Sequence, residues 1–249
     1  MNNESYTLAL IILASMLLYF GLYLILGAIP KKLKGSAYQT ARRYMGAAFL
    51  VIVASVGFYF TLDLDDQQIK YRVMLNLSSY FVASKLFAAS FFTLLGVKVT
   101  TRNPKLIVSH ILSILYPIAL TSCALLINDI DLNELIAKIA AMLLLISIII
   151  EVVVFFRLYR RFISQGSLYY GKGAYTYLRW MLKSVYFIIA AGVVCGFFAL
   201  YSSVLSKFVL FLFLSYFVGT CIYIFNYNTS PTLDSILLIN KIYSSPCVG

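Results

Sequence analysis

The feature that most limits what this chain can become is a set of long, almost uncharged runs. Seven stretches, about 6–29, 44–62, 73–96, 106–127, 136–156, 180–201 and 207–226, are each long enough to cross a bilayer, because a helix needs roughly 20 apolar residues to span ~30 Å of hydrocarbon. Backbone amides and carbonyls find no partners in lipid, so the conformation expected there is helix. The expected fold is all-α: a polytopic membrane protein of seven transmembrane helices. Composition agrees, with 62% of residues hydrophobic and 12% charged, too few charges to cover a water-soluble surface. The first stretch is expected to be a retained span instead of a signal peptide. Glu4 precedes it, no basic segment does, and Lys31, Lys32 and Lys34 follow it.

The net charge of +11 would suit a nucleic-acid partner, but its placement suits a membrane. Loops 30–43, 97–105 and 157–179, with Lys183 and Lys241, hold 15 of the 20 lysines and arginines. The N-terminus and loops 63–72 and 128–135 hold seven of the nine acidic residues: Glu4, Asp63, Asp65, Asp66, Asp129, Asp131 and Glu134. Sign alternates loop by loop, which places the N-terminus outside and the C-terminus in the cytoplasm. The expected location is the inner (plasma) membrane, with anionic lipid headgroups as the partner of the basic excess and no direct nucleic-acid binding.

Two basic, aromatic segments resemble each other: GSAYQTARRYM at 35–45 and GKGAYTYLRWM at 171–181. They share Gly35/Gly171, Thr40/Thr176, Arg43/Arg179 and Met45/Met181 at an offset of 136. The same offset sets YFGLY (19–23) on FFRLY (155–159) and SYFV (79–82) on SYFV (215–218). The expectation is a parallel 3+1+3 repeat, with units 6–96 and 136–226 joined by a linker helix at 106–127. In each unit Arg43 or Arg179 would reach headgroups or helix-end carbonyls, with Tyr44 or Trp180 at headgroup depth. They are expected to act as cytoplasmic anchors, or alternatively as a lever that feels helix motion.

Ionisable groups inside the hydrocarbon are costly and therefore mark candidate sites. Lys85 is the deepest, in a helix made more polar by Ser78, Ser79, Ser84 and Ser90. Glu151 is the intramembrane acid, and it could accept either Lys85 or His110. Lys85, Glu151, His110 and Ser84 thus form a candidate polar site, as a structural pair or as a ligand position. No HExxH, GxSxG or phosphate-cradling glycine loop occurs, and Cys123, Cys195, Cys221 and Cys247 show no metal spacing. Neither cofactor, metal nor enzymatic activity is expected.

Residues 1–227 are expected to form the membrane domain and 228–249 a cytoplasmic tail. Ser230 and Pro231 open a short amphipathic segment, with Leu233, Ile236 and Leu237 on one face of an output helix over 231–243.

At YFGLYLI…ARRYMGAAFL, with Tyr38, Arg42, Arg43 and Gly46 in the basic approach to the second helix, the chain resembles a known family. It is the N-terminal seven-helix membrane region of bacterial one-component regulators with an AraC-type helix-turn-helix output domain. Related regions precede sensor kinases. The resemblance covers residues 1 to about 227 and implies a membrane sensor relaying a stimulus to a cytoplasmic output. No helix-turn-helix domain follows in this sequence, so the expectation is either the membrane part of a longer regulator or a short form whose output passes through a homodimer or a cytoplasmic partner. The alternatives are a small-solute or ion transporter of 3+1+3 architecture with Lys85 near its site, and a structural subunit of a membrane complex.

Overall fold

The computed structural model describes residues 3–28, 37–61, 66–95, 115–123, 126, 130–170, 182–183, 185–186 and 190. Every element among them is helical: α1 (Asn3–Leu26), α2 (Ala37–Thr61), α3 (Asp66–Leu94), α4 (115–123) and α5 (Ile130–Tyr170). The all-α expectation holds.

Contacts fix how these helices run. Arg42 meets Tyr23, and a Cβ on Gly46 would press on Gly21, so α1 and α2 are antiparallel neighbours. The Ser90 hydroxyl donates to the Ala41 carbonyl at 2.9 Å, and Phe87 sets its edge on Phe49 with centroids 5.6 Å apart. α3 therefore runs back along α2. Lys85 meets Glu151 and Phe91 meets Phe155, so α3 and α5 ascend together. On α4, Tyr116 stacks on Phe81 and donates to the Ala140 carbonyl.

Two apolar clusters fill the contacts. The larger joins Leu17 and Leu24 of α1, Met45 and Phe49 of α2, Phe87 and Phe91 of α3, and Phe155 and Tyr159 of α5. The smaller joins Met74, Leu77 and Phe81 of α3, Leu120 of α4, and Ala140 and Leu144 of α5. α1 and α2 pack closest at their glycines. A Cβ on Gly46 would lie 2.6 Å from the Gly21 carbonyl oxygen and 2.7 Å from Ile25. Small residues permit this approach in membrane helices, where dispersion and not solvent exclusion drives association.

The expectation of seven transmembrane helices is corrected. Among the described residues two helices, Met74–Leu94 and Leu132–Ser164, are long and apolar enough to cross a membrane. Ile11–Leu26 is a shorter apolar helix and rises only roughly 24 Å. An apolar run does not define a helix: α2 begins at Ala37 and takes Tyr38, Arg42 and Arg43 into its own first turns. The stretch 207–226, most of 180–201 and much of 106–127 lie outside the described residues.

The 3+1+3 repeat is also not seen among the described residues, which leave out 207–226 and most of 180–201. Offset 136 sets α1 on α5, yet α1 has 24 residues and α5 has 41. Tyr23 is 39% exposed, whereas its counterpart Tyr159 is 3% exposed. In a chain rich in Tyr, Phe and Leu, short identities arise without a shared packing environment. Four expected loops are corrected as well, because 37–43 is the start of α2, 66–72 the start of α3, 130–135 the start of α5 and 157–170 its last part. Charge marks where a chain leaves hydrocarbon. It does not end a helix, since Arg, Leu and Gln are good helix formers.

Candidate functional site

Lys85 lies eleven residues after Met74 and nine before Leu94, so it is ~14–16 Å from either end of that span. At such depth its stem cannot carry the ammonium easily to water. The structure sets Lys85 Nζ 2.5 Å from Glu151 Oε1, with the two side chains 23% and 14% exposed. The ammonium also lies 5.2 Å from the centre of the Phe81 ring, a favourable cation–π position. Glu151 Oε1 is buried and meets no other polar group among the described residues.

The pair sits at the seam between the two apolar clusters. On α3 Lys85 falls between Phe81 of one and Phe87 of the other, and on α5 Glu151 falls between Leu144 and Phe155. Ser84 does not join it. Its hydroxyl donates to the Phe81 carbonyl at 2.8 Å, within its own helix, as serine commonly does in apolar helices. His110, the other partner considered for Glu151, lies outside the described residues.

A second polar centre stands at the basic end of the bundle. Arg42 is 3% exposed. Its Nη2 donates to the Tyr23 carbonyl at 3.0 Å, and its guanidinium carbon is 5.4 Å from the Tyr23 ring and 6.0 Å from the Tyr38 ring. An arginine capping the last carbonyls of a helix opposes the negative end of its dipole. Gly27 leaves the room: a Cβ there would lie 2.3 Å from the Tyr23 oxygen and 3.1 Å from Arg42 Nη2. Burial pushes the Tyr38 phenol above its usual value, opposed by the nearby Arg42 charge.

Of the expected anchors, Arg43 is exposed and Tyr44 half-buried, while Arg179 and Trp180 lie outside the described residues, as do Leu233, Ile236 and Leu237. Sequence reasoning gave Arg43 the anchor role and named Arg42 only within the motif that carries the resemblance. A helical signal could have found Arg42, because Tyr38, Arg42, Met45 and Phe49 fall at spacings of four, three and four and share one buried face.

No family model, curated protein or solved structure matches the chain.

Proposed function

We propose that the protein is a membrane-embedded signalling module, in which the Lys85–Glu151 pair latches α3 to α5 and α5 carries any change in that latch to the basic side of the bundle. The observation that carries this reading is the continuity of α5. It is a single helix of 41 residues, ~60 Å long, against ~30 Å of hydrocarbon. Glu151 lies near its middle, and Arg157, Arg160 and Arg161 extend beyond on the same rod. Most of its apolar side chains face outward, and those that pack are spread along the rod, from Ala140 and Leu144 to Phe155, Tyr159 and Phe162. A transport site would need the pair open to water; Lys85 instead closes on Glu151 and on Phe81. The resemblance to one-component regulators points the same way. In this reading the basic helix ends face the cytoplasm and its anionic lipid, and output passes through a second copy or a cytoplasmic partner.

The test is a distance measurement. With the native cysteines replaced, spin labels are placed at Thr40 and Arg160, which are exposed and at the same end of the bundle. Glu151→Gln weakens the latch. The expected outcome is a shifted or broadened Thr40–Arg160 distance distribution with helix content unchanged. An unaltered distribution overturns the relay.

A further inference from the structure

Arg42 has no part in that relay, and its electrostatics are incomplete. The guanidinium keeps its charge at any physiological pH, and a buried charge requires a counter-charge or a full set of acceptors. Among the described residues one carbonyl and two ring faces meet it, and its buried Nε has no acceptor there. No carboxylate pairs with it there.

The whole sequence offers little more. Of nine acidic residues, seven fall in sequence within or beside the first two turns of α1, α3 and α5, and Glu151 is held by Lys85. Asp234 is the remaining one. The phenol of Tyr38, pushed up by burial, stays protonated and adds no negative charge. Meanwhile Arg42 and Arg43 of α2 and Arg157, Arg160 and Arg161 of α5 all stand at this end. Depth is informative too. Tyr23 and Gly27 occupy the last turns of α1 and Tyr38 the first turn of α2. This is the level at which tyrosines sit among headgroups.

We propose that Arg42, flanked by Tyr23 and Tyr38, is the binding site for a phosphate group at the basic end of α1 and α2. Phosphate is the anion native to that depth, and the planar guanidinium fork matches its oxygens. Gly27 packs against the guanidinium, where a Cβ would come within 3.1 Å of Arg42 Nη2. Two sources present this chemistry: the headgroup of an anionic phospholipid, and free inorganic phosphate.

The experiment follows thermal unfolding of the full chain in an uncharged detergent. Dioctanoyl phosphatidylglycerol, dioctanoyl phosphatidylcholine and inorganic phosphate are titrated separately. A saturable rise in the wild-type midpoint with phosphatidylglycerol and not with phosphate assigns a lipid headgroup; a rise with both assigns a free anion. Arg42→Gln should weaken that response roughly tenfold or more, while Arg43→Gln, at the exposed neighbour, leaves it intact. If Arg42→Gln does not fold, Arg42→Lys keeps the charge without the fork and should weaken the response by a similar factor. No saturable response in the wild type, or an equal one in the Arg42 variants, overturns the proposal. So does an Asp234→Asn variant as unstable as Arg42→Gln in a protein that ignores phosphate, which would put an internal carboxylate at Arg42.

Discussion

At the scale of the residue, the Lys85–Glu151 pair is an interaction whose loss and whose replacement have different consequences. Removing one partner leaves a desolvated charge and costs about 3–5 kcal/mol, while replacing both by apolar groups of similar volume is often neutral. Lys85→Met alone should therefore destabilise the protein by about 3 kcal/mol or more. The double variant Lys85→Met/Glu151→Leu should recover most of that loss, because the flanking Phe81, Phe87, Leu144 and Phe155 supply apolar surroundings on both helices. Chemical denaturation of the purified variants in mixed micelles checks this. If the double variant is no more stable than the single, the pair is not coupled. Lys85 and Glu151 were readable in the sequence because an ionisable residue inside an apolar run stands out against its neighbours. Arg42 was not, because a buried arginine beside an exposed one in a basic segment looks the same on the page. Only the helical phase of α2 separates them.

At the scale of the element, α1 and α2 cross in close contact at Gly21 and Gly46. A Cβ at Gly46 meets the Gly21 oxygen at 2.6 Å, whereas a Cβ at Gly57 meets nothing within 4 Å. These two glycines of one helix should respond in opposite senses to the same change. Gly46→Ala should cost about 1–3 kcal/mol through overpacking, and Gly57→Ala should gain up to ~1 kcal/mol from helix propensity. Parallel unfolding curves decide it, and equal effects would mean that the crossing yields without cost. Helices were legible where apolar residues ran on without interruption, as in α3 and the middle of α5. Their boundaries were not. α2 starts at Ala37 and α5 continues to Tyr170 because arginines and tyrosines extend a helix past the point where hydrocarbon ends. The offset of 136 rested on identities such as Tyr23 and Tyr159, and those two residues sit in unlike surroundings. Sequence coincidence carried no packing information there.

At the scale of the whole molecule, helix direction and charge reinforce each other. α1, α3 and α5 run parallel, with α2 reversed between α1 and α3, as the contacts of Tyr23 with Arg42, Ala41 with Ser90, and Phe91 with Phe155 require. That arrangement brings Arg42 and Arg43 of α2 to the same end as Arg157, Arg160 and Arg161 of α5. It leaves Asp66 of α3 and Asp131 and Glu134 of α5 at the other end. The outward side of α5 between those ends is apolar, with Met142, Ile146, Ile149 and Ile150 all half exposed or more, a surface suited to lipid. α5 is far longer than a bilayer is thick, so in the proposed reading both ends emerge, with the positive one on the cytoplasmic side. Single cysteines at Glu134 and Arg160, both exposed in the structure, test this in a background free of native cysteine. A membrane-impermeant maleimide applied to intact spheroplasts should label the cysteine at 134 and leave that at 160 untouched, with the reverse in inside-out vesicles. Labelling of both positions from one side would mean that α5 lies along the membrane instead of crossing it. It would also remove the ground for a signal carried through the bilayer by that helix.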